Sequence, residues 1–364
     1  LAGLRAARNA RGDGALAWRL LPDRVQAAAQ AGNVWSPVVT FAAPGAYLLH
    51  PRIRVLPDGT ALLAYVEAPL VGSNSARIHA VRFVAGQWGT PTVVADDIPG
   101  SNTFDVILHD LVVDGDGHAA VSWLAPSRAP EPGVEASIAT LSPRGWQRHA
   151  LGRAVAPAHV AVDATGVLHV LFAGRVDPTA APMSVQARRY RFDDDTWSLP
   201  EILVEYGNPY SCGGPSAPCY ALSVGAEGTA LALTWDGEPG VGGTGSVTPH
   251  VYSPSTRTWT RSAAVGSDTT SPFVRSSASG DAVAVFSTPG ALNAGQLEMR
   301  RYDARARAWS APERLERFSP EDVEMSPAGT VMVRGSVGTT PATTVSVGSG
   351  WSRATLYDDV AVCD

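Results

Sequence analysis

Tryptophan recurs at Trp35, Trp88, Trp146, Trp197, Trp259, Trp309 and Trp351, about fifty residues apart, and each opens a similar stretch of chain. A period of that length means that one supersecondary unit is repeated, and that each copy buries its apolar face against the next. After each tryptophan come a short polar or proline-containing stretch, a variable loop, a β-rich run, a tight glycine turn and a second apolar run ending in an aromatic. The clearest copy is AHVAVDATGVLHVLF, from Ala158 to Phe172. Its relatives are DLVVDGDGHAAVSW from Asp110, PRIRVLPDGTALLAY from Pro51 and YALSVGAEGTALALTW from Tyr220, with weaker copies at Phe273 to Phe286 and Asp322 to Arg334.

Within each copy apolar and small residues alternate with a period of two and β-branched residues are frequent, so the runs read as strands. Asp58-Gly59, Asp116-Gly117, Thr165-Gly166 and Glu227-Gly228 close hairpins, because glycine accepts the positive φ that such turns need. A third strand follows at Ile78 to Phe83, Val185 to Phe192 and Leu297 to Tyr302, and the tryptophan segment supplies a fourth. Four antiparallel strands repeated in this way make a β-propeller blade. The expected fold is an all-β, seven-bladed propeller forming one domain over residues 1–364. Residues 11–34 and 355–364 are expected to share the closing blade, with Asp359 to Cys363 as its first strand beside Ala15 to Trp18. In the alternative, Leu4 to Arg8 is that first strand, and residues 1–10 are a degenerate strand rather than a tail.

The net charge of −6 and the scattered arginines exclude the basic stripe of a nucleic-acid binder. No apolar run approaches the ~20 residues of a membrane-spanning helix. The chain has no lysine, so arginine carries every fixed side-chain positive charge. Cys212 and Cys219 bracket a Gly/Pro/Ser/Ala loop whose ends can meet, and a disulfide there implies an oxidising compartment; free surface thiols are the other reading. The chain is therefore expected to be secreted, periplasmic or at the cell surface. Cys363 reads as a buried small hydrophobe. With neither an initiator Met nor a leader, the sequence reads as a processed product or a trimmed piece.

The pattern W-S-x-P, then V-A-V-D-x-x-G-x-x-x-V-x-F/W, then R-R-Y with a later Trp resembles the exported bacterial propeller repeats related to sialidase-like and kelch-like blades, over nearly the whole chain. Tyr190 to Trp197, Tyr252 to Trp259 and Tyr302 to Trp309, at one fixed spacing, carry the kelch likeness. Arg52-Ile53 opens a first strand as the arginine-isoleucine-proline signature does in sialidases, where the resemblance implies an arginine trio gripping a substrate carboxylate. Here Arg54 stands in the place of the proline. The resemblance implies a fold more than an activity.

Loop lengths point to one functional face. Turns between first and second strands are minimal, whereas Val66 to Ser75, Leu124 to Glu135, Ala173 to Pro182, Asp236 to Thr248 and Ser287 to Gly295 are long and rich in Gly, Pro and Ser. The blade-to-blade segments Ala95 to Leu108 and Glu205 to Cys219 are long too. First strands enter from that face. Aligned on their turns, they place Arg52, Asp110, His159, Phe273, Asp322 and Asp359 at one position, and Arg54, Arg275 and Glu324 two residues later on the same side. Such a ring of both charge signs is either a compensated ion-pair network or a ligand pocket whose arginines bind an anion, with His159 or a carboxylate available for proton transfer.

Other candidates have plainer readings. Arg11-Gly12-Asp13 occupies a turn. Asp114-Gly115-Asp116-Gly117 starts like a calcium loop without the later ligands. Asp193-Asp194-Asp195 reads as a solvated turn. His50, His79, His109, His118, His149, His159, His169 and His250 have no zinc-site spacing, and no metal or other cofactor is expected. The blade tryptophans read as core between blades, while Trp235, beside a long loop, is a candidate ring-stacking platform. No acid, base and nucleophile set assembles from these motifs, so a binding module for a glycan, a small anionic ligand or a protein partner is the favoured function. The alternative is a glycan-active hydrolase or polysaccharide lyase with its site in the channel mouth.

Overall fold

The structure is a computed structural model. It describes all residues except 1, 10, 33, 70–74, 101–105, 128–132, 176–182, 207–212, 215–216, 226, 237–244, 270–271, 278, 289–295, 317–318, 326–329, 338–339, 348–349 and 356–364, and describes the backbone alone over most of 334–355. The chain is all-β, with antiparallel strand pairing and no helix among the described residues. It divides into two compact units: residues 1–162, 166–180 and 188–199, and residues 163–165, 181–187 and 200–364.

One meander recurs in the first unit. Its first sheet runs β1 (Ala2–Arg8), β2 (Gly14–Leu21), β3 (Arg24–Ala31), then the broken fourth strand β4 (Val34–Trp35) and β5 (Val39–Ala42), both against β3. The next runs β6 (Ala46–Val55), β7 (Ala61–Pro69), β8 (Ser75–Val84), with β9 (Gln87–Trp88) and β10 (Thr92–Pro99) on β8. The third is β11 (Ile107–Val113), β12 (Ala119–Pro126), β13 (Val134–Ser142) and β14 (Gly145–Ala154). The pairing Ala154↔Gly174 links it to a fourth set: β15 (His159–Val162), β16 (Val167–Gly174), β17 (Met183–Arg191) and β18 (Thr196–Trp197); residues 183–187 of β17 and the following β19 (Glu201–Tyr206) belong to the second unit. In the second unit the meander repeats from Tyr220–Val224 to Gly266–Thr269, from Phe273–Ser276 to Glu313–Glu316, and from Ser319–Met325 to Gly350–Thr355.

Prolines account for the break in four of the fourth strands. After Trp35, Trp88, Trp197 and Trp309 the chain reaches Pro37, Pro91, Pro200 and Pro312, which cannot donate to a ladder. Serine bridges the break. Ser36, Ser198 and Ser310 donate their backbone N–H to the third strand, and their hydroxyls accept from Ala29, Arg189 and Arg301 N–H at 3.1, 3.0 and 3.0 Å.

Apolar clusters fill the space between successive sheets, joining β2 and β3 to β7 and β8, β7 and β8 to β11 and β12, and β12 and β13 to β16 and β17. A second strand therefore meets side chains on both faces. Strict alternation gives way to continuous burial, as in β7 and β12. The Tyr/Trp spacing becomes a cross-strand pair: Tyr190↔Trp197, Tyr252↔Trp259 and Tyr302↔Trp309, with ring centroids 5.1, 5.5 and 5.2 Å apart. The blade tryptophans sit at the margin of the core rather than inside it, since Trp88, Trp146 and Trp197 are partly buried against its clusters and Trp35 is 45% exposed.

The N-terminus corrects one expectation. β2 has β3 along one edge and β1 along the other, so the place expected for Asp359 to Cys363 beside Ala15 to Trp18 is taken by Ala2–Arg8. A strand has two edges, and both are filled. Asp359 and Cys363 lie outside the described residues.

Candidate functional site

The alignment on turns is the register of the hairpins. Arg52 pairs with Ala64, Asp110 with Ser122, His159 with Leu171, Phe273 with Val285 and Asp322 with Arg334, each twelve residues apart. Arg5, paired with Ala17, holds the same position on β1, which the sequence reading missed because it gave Leu4 to Arg8 only as the alternative first strand. The turn glycines Gly59, Gly117, Gly166 and Gly228 all have positive φ, between 74° and 89°.

Just before this position the register slips. β6 slips between Leu49 and Arg52, β11 between Leu108 and Asp110, and the strand Ser319–Met325 between Pro320 and Asp322. On β11 Leu108 faces Trp123 and Asp110 faces Ser122, so His109 is the extra residue of a β-bulge. A bulge interrupts alternation and re-aims side chains. His109 therefore joins Asp110 instead of pointing to the opposite face.

His109, Asp110 and His159 form one half-buried cluster in the first unit, where β11 lies beside both β6 and β15. His109 Nε2 is 3.3 Å from His159 Nδ1 and 3.8 Å from Asp110 Oδ2, and His159 Nδ1 is 3.4 Å from Asp110 Oδ2. The two rings meet edge to face at 88°. Backbone groups hold the cluster. Val160 N–H donates to Asp110 Oδ2 at 3.2 Å, and Arg52 Nε donates to the His109 carbonyl at 2.6 Å. Ser122, fully buried, accepts from Asp110 N–H at 3.2 Å and donates to the Ala158 carbonyl at 2.7 Å, which ties β11 and β12 to the entry of β15.

Burial pushes the His109 imidazole down to about 4, against the pull of Asp110 and helped by His159 and Arg52. Burial alone would raise the Asp110 carboxyl, but His109, His159 and Arg54 outweigh it and hold Asp110 well below the usual carboxylate range. His50, in the bulge of β6 with φ 52°, is lowered to about 4 by burial and by Arg52, Arg19 and Arg5. The entry ends of β1, β6, β11 and β15 thus combine a guanidinium-rich field with two imidazoles and a carboxylate in contact.

Arg54 and Arg275 make the same contact, each donating Nη1 to the preceding carbonyl, at 2.9 Å to Ile53 and 2.8 Å to Val274. Arg275 belongs to the second unit, as do Asp322 and Glu324, whose backbone lies in a strand and whose side chains fall outside the described residues. Trp235 is buried, 6% exposed, and the Tyr206 hydroxyl donates to its carbonyl at 2.7 Å. Much of the long-loop sequence lies outside the described residues; where it is described, strands extend into it, as at Val66 to Pro69 and Leu124 to Pro126.

The minor candidates resolve as turns. Asp13 is buried and accepts from Asn9 Nδ2 and Gly32 N–H, both at 2.9 Å. Asp114 accepts from Asp116 and His118 N–H, each at 2.9 Å, and lies 2.7 Å from His118 Nδ1, so its oxygens are already committed. Beside that turn lies a cavity of about 670 Å³ lined by Arg82, Thr92, Asp116, His118 and Trp146 among others. Asp195, expected to be solvated, is bound to Tyr190 Oη at 2.5 Å and to Arg144.

No protein-family model matches the chain, and no curated protein matches its sequence. Solved structures do resemble it. An ulvan lyase bound to a glucuronate–rhamnose sulfate fragment, described as a new family of polysaccharide lyase, is 10% identical with a TM-score of 0.53, over 85% of this chain and 82% of its own. A Penicillium chrysogenum α-L-arabinanase complexed with arabinobiose is 14% identical with a TM-score of 0.44, over 85% and 94%. A Hadza microbial sialidase is 12% identical with a TM-score of 0.42, over 84% and 66%. At these identities the likeness to the ulvan lyase is one of fold: all-β and propeller-like.

Proposed function

We propose that this protein is a glycan-active lyase that cleaves an anionic polysaccharide at the cluster of His109, Asp110 and His159. One observation carries the reading: two imidazoles and a carboxylate lie in mutual contact with the guanidinium of Arg52 anchored against them. β-Elimination from a uronate needs three things. A cation must offset the carboxylate charge, a base must take the proton α to the carboxylate, and a proton must reach the departing glycosidic oxygen. The C–O bond breaks as the C=C bond forms, without a protein nucleophile. Arg52 and Arg54 supply the cations, and the cluster handles the protons. The fold likeness to an ulvan lyase bound to a glucuronate-containing fragment supports the same class.

The recurring meanders are the seven blades of a closed propeller, with β1 as an innermost strand. Cys212 lies outside the described residues; on the sequence spacing, with the tight hairpin Gly213↔Pro218 and Gly214↔Ala217 beside Cys219, we propose a Cys212–Cys219 disulfide and an exported protein.

A panel of uronate-containing polysaccharides, followed by ultraviolet absorbance of the unsaturated product, tests the activity. Cleavage by the wild type and a fall of about 10²–10³ in kcat/KM for Arg52→Ala are expected, the scale of losing one charge-stabilising group. Products carrying the elements of water would mark a hydrolase instead. Binding of an anionic glycan with no cleavage would make the protein a binding module and overturn the lyase reading.

A further inference from the structure

We infer that His109 Nε2, His159 Nδ1 and Asp110 Oδ2 are three ligands of a zinc ion. Donors around a tetrahedral zinc ion with bonds of about 2.0–2.1 Å stand about 3.3 Å apart. The observed separations are 3.3, 3.4 and 3.8 Å. Cis donors of an octahedral ion at similar bond lengths would stand about 3.0 Å apart, closer than any of the three, so the spacing favours zinc over magnesium or manganese. Two imidazole nitrogens and one carboxylate oxygen also make a donor set that zinc takes in catalytic sites, with a fourth position open.

The surroundings act as outer-shell supports. Val160 N–H fixes the Asp110 oxygen that would face the ion. Arg52 holds the His109 backbone through its carbonyl, and the β11 bulge turns the imidazole inward. Ser122 ties the strand bearing Asp110 to the segment that leads into His159. The neighbouring set Asp114, Asp116 and His118 differs, because Asp114 is spent on its own turn. The role of the ion rests on the lyase reading: with all three side chains engaged as ligands, a water at the open position, rather than an imidazole, would be the proton acceptor of the cluster. Its existence does not.

The test is metal content and spectroscopy on the whole chain. Chelator-treated protein, dialysed against zinc and passed through a desalting column, should retain one zinc per chain by elemental analysis. Cobalt in its place should give the intense visible bands of a tetrahedral site, and zinc should abolish them. His109→Ala and His159→Gln should lose both signals while keeping the wild-type circular dichroism, and Asp116→Asn should keep them. If a variant fails to fold, the cobalt spectrum of the wild type stands as the deciding measurement. Wild-type protein without stoichiometric zinc, cobalt bands of octahedral type, or full retention of zinc by folded His109→Ala would each overturn the inference. Zinc uptake with no glycan cleavage would leave the site standing and remove the lyase reading; cleavage by zinc-free protein would keep the lyase reading and remove the role of the ion in it.

Discussion

At the scale of single residues, turn glycines and buried histidines carry most of what can be tested. Gly228 has φ 79°, and a Cβ there would lie 2.9 Å from a carboxylate oxygen of Asp163. Gly86 has a similar φ of 83° with nothing within 4 Å. Both pay for a left-handed backbone when changed to alanine, about 1 kcal/mol or somewhat more, but only Gly228→Ala adds a clash. Urea denaturation should therefore show a larger loss for Gly228→Ala than for Gly86→Ala. His250 is buried, 3.0 Å from Thr234 Oγ1, and burial lowers it to about 4. Its folded value lies below its unfolded value, so its contribution is complete above about pH 6.5 and is lost as pH falls toward 4. The full difference is worth about 3 kcal/mol. The urea midpoint of the wild type should fall between pH 7 and pH 4 by more than that of His250→Gln; equal slopes would refute this assignment.

At the scale of elements, the W-S-x-P segments and the bulges show how a repeat can be both regular and locally broken. Ser198 is the bridge across the proline break, accepting from Arg189 N–H and donating to the Leu199 carbonyl. Ser36 and Ser310 make the equivalent bonds. Replacing any one with alanine should cost about 1 kcal/mol, the net worth of a hydrogen bond, with similar values in all three sheets. Trp197 packs on Tyr190 and His149 and lies beneath Arg188, whereas Trp35 is 45% exposed opposite Gln30. Trp197→Ala should be the more destabilising of the two by roughly 1–2 kcal/mol in thermal or urea melts, reflecting the lost aromatic and cation–π contacts.

At the scale of the whole molecule, the N-terminal strand takes the edge that sequence reasoning had assigned to the C-terminus. β1 pairs with β2 and also lies against β6, so removing it exposes one strand edge and part of an inter-sheet surface. Deleting residues 1–9 should lower Tm markedly and promote association through the bared edge of β2. An unchanged Tm would show that β1 contributes little to the packing of the first sheets.

The repeat, the strand content, the hairpin turns and the shared position of Arg52, Asp110 and His159 were legible in the chain, because tryptophan spacing, period-two patterning and glycine turns are local signals. Arg5 was readable by the same register once Leu4 to Arg8 was taken as a strand. His109 was not. Alternation placed it opposite Asp110, and the bulge between Leu108 and Asp110 turned it to the same side. Nor does the sequence bring residues 109 and 159 together, since they are fifty positions apart and meet because successive first strands lie side by side. Local chemistry determined which strands form. Packing of sheet on sheet decided which of their side chains meet, and so brought Asp110 together with two histidines whose spacing announced no site.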